Sequence, residues 1–112
     1  MTKPWQLYAR HIQDSIAKLQ KIQARGDLIQ DETLYDATLR NLQTLSEATQ
    51  QLPDDLKQLY LSVPWKQISA FRNILVQAYL GDIDPVTVRG VVEQHLGPLE
   101  EAVQAMLKDC PD

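Results

Sequence analysis

The sequence predicts an all-α fold, an up-and-down helical bundle of four main helices plus short helical pieces. Three observations carry that expectation. Apolar residues recur at three- and four-residue steps along most of the chain, the spacing that gathers them on one face of a helix. Ala, Leu, Gln and Glu are frequent, whereas the 112 residues hold only four glycines and 6% aromatics. That balance favours helices over sheets. Proline and glycine fall between the periodic stretches and leave only short connections, so successive helices should run antiparallel. Hydrophobic residues make up 44% of the chain, enough for a core at this length. A single domain over residues 1–112 is expected.

The elements follow in order. Pro4 suits the first turn of a helix, and Tyr8, Ile12, Ile16, Leu19 and Ile22 continue it to Gly26, a C-terminal cap. Helix one is read as residues 4–25. Asp31 can cap the next helix. Leu34, Ala37, Leu42, Leu45, Ala48 and Leu52 form its stripe, and Pro53 stops it. Helix two is read as 31–51, with a short helical turn at 54–60. Ser62-Val63-Pro64 opens helix three, which reaches Leu80 and ends at Gly81. Ile68, Phe71, Leu75 and Ala78 share one face, and so much of the circumference is apolar that the helix should be central. Asp84-Pro85 is a strong start signal for a fourth helix. Gly97-Pro98 should break or kink it, and Leu99, Val103, Met106 and Leu107 continue a final helix to about Asp109.

Several function classes are disfavoured. Cys110 is the sole cysteine, so no internal disulfide can form. The N-terminus lacks the uninterrupted apolar core of a signal peptide, and no run is long enough for a transmembrane helix. A soluble, cytoplasmic protein with no membrane contact is expected. His11 and His95 lie far apart, with no second ligand at metal-binding spacing. The adjacent acids Asp54-Asp55 and Glu100-Glu101 diverge by about 100° on a helix and share no site. No glycine-rich phosphate loop or nucleophile elbow is present. Neither metal nor cofactor is expected.

The net charge of −4 argues against general affinity for nucleic acid, but the charge is uneven. Residues 1–25 carry five basic side chains against one acid, and residues 57–79 carry Lys57, Lys66 and Arg72 and no acid. These segments could form a basic face, or could simply solvate outer surfaces.

Helix three holds the most unusual chemistry. Arg72, Asn73, Gln77 and Tyr79 interrupt an otherwise apolar helix, and buried polar groups are costly unless paired or facing a cleft. Arg72 and Tyr79, seven apart, project on nearly the same side. Asn73 and Gln77, four apart, stack on a neighbouring face. Such a strip suits phosphate and base contacts. An internal hydrogen-bond network or an oligomer interface would use the same residues.

The stretch from Val63-Pro64-Trp65-Lys66-Gln67-Ile68 through Phe71-Arg72-Asn73-Ile74-Leu75-Val76-Gln77-Ala78-Tyr79 resembles the signature helix of HepT-like proteins of the HEPN superfamily. Their motif is Arg-Asn, three residues, His, any residue, Tyr. Leu39-Arg40-Asn41-Leu42 with Ser46-Glu47-Ala48 resembles the second helix of that family, and Val86 to Leu96 with Pro98-Leu99 its fourth and fifth helices. The resemblance covers nearly the whole chain. It implies a HEPN-like bundle that pairs as a homodimer, with the two motif helices forming a composite cleft. It also implies a metal-independent endoribonuclease, the toxin of a prokaryotic type VII-like toxin–antitoxin pair. The implied antitoxin is a minimal nucleotidyltransferase, able to transfer AMP from ATP to the motif tyrosine, Tyr79. Arg72 would contact RNA phosphate and Asn73 would support it.

Metal-free RNA cleavage needs a group to move the 2′-hydroxyl proton and a cation near the phosphorane. Histidine suits the first task and arginine the second. Positions five apart on a helix diverge by about 140°, so Arg72 and residue 77 would converge more readily in a dimeric site. The sequence departs from the motif here, because Gln77 stands at the histidine position. An amide hydrogen-bonds but does not titrate near neutrality, and general acid–base help is worth about two to four powers of ten in rate. Reduced or absent ribonuclease activity is therefore expected. The alternative is a non-catalytic helical binding module that docks a nucleotidyltransferase or holds a nucleotide; the plainest option is a structural helical dimer.

Overall fold

A computed structural model describes residues 4–69 and 84–109 of the chain. Among these residues the regular structure is helical, with no strand. α1 spans Trp5–Arg25, α2 Glu32–Thr49 and α3 Asp54–Lys57. α4 begins at residue 65 and is described through 69. α5 spans Pro85–Asp109.

Local signals set the helix ends. Pro4 is the N-cap residue of α1 rather than part of its first turn, with extended dihedrals and no side-chain cap bond. Gly26 is the C-cap of α1, as expected, at φ 158° and ψ −168°. A Cβ there would lie 3.2 Å from Leu34 Cδ1, so the glycine lets the first connection pass close to α2. Asp31 caps α2 as expected, its carboxylate accepting from the Thr33 and Leu34 amides at 2.9 and 3.3 Å. Asp84 accepts from the Val86 amide at 2.9 Å at the start of α5. Pro85 follows in the first helical position, where no intrahelical donor is needed.

The apolar stripes meet in one core. α1 contributes Ala9, Ile12, Ile16 and Leu19, and α2 contributes Leu39, Leu42, Leu45 and Ala48. α5 adds Val88, Val92, Leu96, Leu99, Ala102, Val103 and Met106. Leu52, Val63 and Ile68 close the end nearest α4. α1 packs against both α2 and α5. Arg89 of α5 reaches Asp27 just beyond α1 at 3.5 Å, whereas Gln20 within α1 reaches Glu100 further along α5 at 3.1 Å. Numbering thus rises along α5 as it falls along α1, and the two helices are antiparallel, as an up-and-down bundle requires.

One boundary differs from expectation. Gly97-Pro98 does not divide two helices: α5 is helical through both residues, with Pro98 inside it. Proline deprives the Gln94 carbonyl of its helical donor, at a cost of about 3 kcal/mol. Leu96 and Leu99 on either side are buried, as are Ala102, Val103 and Met106 beyond. Each large aliphatic side chain gains roughly 1.5–3 kcal/mol by burial, so a continuous apolar face outweighs one missing bond. The expected centrality of helix three, with Phe71, Leu75 and Ala78, lies outside the described residues.

Candidate functional site

The four residues expected to carry chemistry, Arg72, Asn73, Gln77 and Tyr79, lie outside the described residues, as does Cys110. The described structure shows the frame from which their helix starts. Ile68 donates its amide to the Pro64 carbonyl at 3.0 Å, which places Pro64 at the entry to α4. Val63 and Ile68 are buried and pull this entry onto the core. Trp65 Nε1 donates to the carbonyls of Lys57 and Tyr60 at 3.0 and 3.1 Å. The indole thereby clamps α4 to the turn that follows α3. Gln50 Nε2, just past α2, donates to Ser69 Oγ at 3.2 Å. Tyr60 Oη donates to Asp109 Oδ2 at 3.4 Å, tying that turn to the end of α5.

Two clefts flank the start of α4. One, of about 340 Å³, lies among α2, α4 and α5; Leu42, Leu45, Ile68 and Leu99 form its apolar wall, and Ser46, Gln67, Gln94 and His95 contribute polar groups. The Ser46 hydroxyl is already committed to the Leu42 carbonyl at 2.8 Å. The second cleft, of about 590 Å³, lies beside α3 and is lined by Lys57, Leu61, Pro64, Trp65 and Lys66 among others. Lys57 Nζ sits 5.8 Å from the centre of the Trp65 ring and 4.0 Å from Asp54 Oδ1. Leu61, which lines this cleft, and Leu59, two residues before it, are 79% and 72% exposed.

Burial shifts one titration among the described groups. Tyr35 on α2 is held above the usual tyrosine range, first by desolvation and then by the negative charges of Asp36 and Asp84. On α1, Arg10, Lys18, Lys21 and Arg25 are all exposed, with Asp14 exposed among them. No three His, Cys, Asp or Glu side chains among the described residues come together as a metal site would require. No described helix is long and apolar enough to cross a membrane. Sequence reasoning did not find the clefts. The signal for the second was the Pro64-Trp65-Lys66 run beside Lys57, an aromatic side chain interleaved with cations.

Comparison with known proteins decides the family. A family model described as ribonuclease HepT-like matches residues 12–106. The chain belongs to the HepT-like family of the HEPN superfamily. Among curated relatives, one from Methanocaldococcus jannaschii named "gamma-glutamylcyclotransferase and putative RNase" is 28% identical over 97% of this chain. This chain spans only 50% of that protein's length. A second relative from the same organism, named a "putative RNase", is 24% identical over 88% of this chain and 84% of its own. A "probable ribonuclease HepT" from Thermococcus cleftensis is 33% identical over 49% of this chain and 50% of its own. No solved structure matches. The HepT-like match runs through all the described helices, including α5 across Pro98.

Proposed function

We propose that this chain is a HepT-like toxin subunit, folded as one domain over residues 1–112, whose ribonuclease site is weakened by Gln77. The observation that carries the reading is the family match over residues 12–106, taken with the sequence Arg72-Asn73-x3-Gln77-x-Tyr79 inside it. In this reading RNA is the substrate, and two copies pair so that both motif helices contribute to one cleft. Arg72 stabilises charge on the phosphorane, and Asn73 supports it. Residue 77 holds the position of the proton-moving group, and a glutamine there can orient the 2′-hydroxyl by hydrogen bonding without accepting its proton. Tyr79 is the acceptor for AMP from a minimal nucleotidyltransferase antitoxin, and the complex works in the cytoplasm without a metal.

Gln77 itself favours a second reading, a non-catalytic module that docks the nucleotidyltransferase or holds a nucleotide. Induced expression in cells separates the two. Under the first reading Gln77→His arrests growth, the native chain does not, and co-expression of the adjacent nucleotidyltransferase restores growth. If neither chain arrests growth, the binding module is the better account.

A further inference from the structure

The cleft beside α3 brings a fixed aromatic ring and two lysines to one open surface. Trp65 is fixed by two hydrogen bonds from its ring nitrogen, yet it lines an open cleft of about 590 Å³ rather than being sealed in the core. Lys57, only 18% exposed, is drawn against the ring, and Lys66 lines the same cleft. Leu61 and Pro64 supply apolar lining, and Asp54 is the one acid among the described residues that line it. A locked aromatic ring with cations beside it suits an anion that carries a flat apolar group. That pairing of stacking platform and positive charge is how proteins hold unpaired nucleotides.

We propose that this cleft is an RNA subsite taking one unpaired nucleotide, its base against Trp65 and its phosphate between Lys57 and Lys66. The inference rests on the ribonuclease reading and extends it to a place outside the Arg72–Tyr79 motif. The sequence predicts that α4 continues to Leu80. In an ideal helix, positions seven apart, as Trp65 and Arg72 are in the sequence, lie about 10 Å apart along the axis on nearly the same side; Arg72 itself lies outside the described residues. A short single strand can reach from one to the other. The subsite would fix the strand's register, so that the linkage presented to Arg72 is set by a nucleotide held at Trp65.

The chain has two tryptophans, Trp5 and Trp65, so the full-length Trp5→Phe protein reports on Trp65 alone. The probe is a short single-stranded 2′-O-methyl oligoribonucleotide, which cannot be cut. It should quench Trp65 emission saturably. In Lys57→Gln/Lys66→Gln, which spares the indole and its hydrogen bonds, the slope of log affinity against log salt should fall by about 0.7, the loss of one neutralised phosphate. Trp65→Leu should weaken binding roughly tenfold through lost stacking. If the oligonucleotide binds with no change in Trp65 emission and equal affinity for the lysine variant, the subsite is overturned while the ribonuclease reading stands. If the oligonucleotide does not bind and Gln77→His does not cleave RNA, both fall. If a glutamate-rich peptide quenches Trp65 and the oligonucleotide does not, the cleft is a protein-docking surface and the proposal is overturned.

Discussion

Gln77 and Tyr35 show how a single side chain can be decided by charge chemistry rather than size. Gln77 has hydrogen-bonding capacity but no proton to exchange near neutrality. Tyr35 has an exchangeable proton whose loss is resisted by desolvation and by Asp36 and Asp84. The consequence for stability has a definite sign. Below about pH 10 the tyrosine is neutral in both folded and unfolded chains. Above it the unfolded chain ionises first, binds fewer protons than the folded one, and stability falls as pH rises. Urea unfolding between pH 8 and 10.5 should show this decline, and Tyr35→Phe should flatten it. An unchanged slope in the variant would place the effect elsewhere. The motif residues stand out in the sequence as polar groups in an apolar stretch, and they lie outside the described residues. The buried Thr38, Ser46 and Thr49 on α2 were not. Each hydroxyl donates to a carbonyl of its own helix, to Leu34, Leu42 and Ser46 respectively. A polar residue that satisfies itself in this way leaves no break in an apolar periodicity to read.

At the scale of elements, caps were read more reliably than breaks. Asp31 and Asp84 bond to amides of the helices they precede, because an N-cap is a local interaction between residues two or three apart. The continuity of α5 depends on what the helix packs against, information that Gly97-Pro98 does not contain. Leu99 is fully buried one residue past the proline. Leu99→Ala should therefore cost about 2–5 kcal/mol in chemical denaturation. Pro98→Ala should stabilise the chain by up to about 3 kcal/mol by restoring a donor to the Gln94 carbonyl. A destabilised Pro98→Ala protein would show that proline geometry shapes the core at this point. Ion pairs matter less: Arg89 with Asp27 and Glu93 is about two-fifths exposed, and such surface pairs contribute about 0–1 kcal/mol.

At the scale of the whole molecule, the described helices share one core, and the exposed Leu59 and Leu61 shortly precede α4 in the chain. The proposed composite site requires a second copy. Light scattering at micromolar concentration should give twice the 12.8 kDa mass of the chain, and a clean monomer would count heavily against a site built from two motif helices. The all-helical fold was visible in the sequence because helical periodicity repeats along the long helices and capping aspartates open α2 and α5. The clefts were not, since each joins residues from separate elements, such as Ser46, Gln67 and His95.

The most direct test of a ribonuclease scaffold silenced at one position is RNA cleavage in vitro by purified native, Gln77→His and Gln77→His/Arg72→Ala proteins, all shown to be folded, with a chelator present. The account predicts that histidine raises the cleavage rate by about 10²–10⁴-fold over the native chain, and that removing Arg72 abolishes the gain. A folded, dimeric Gln77→His protein that cleaves no faster than the native chain would contradict it.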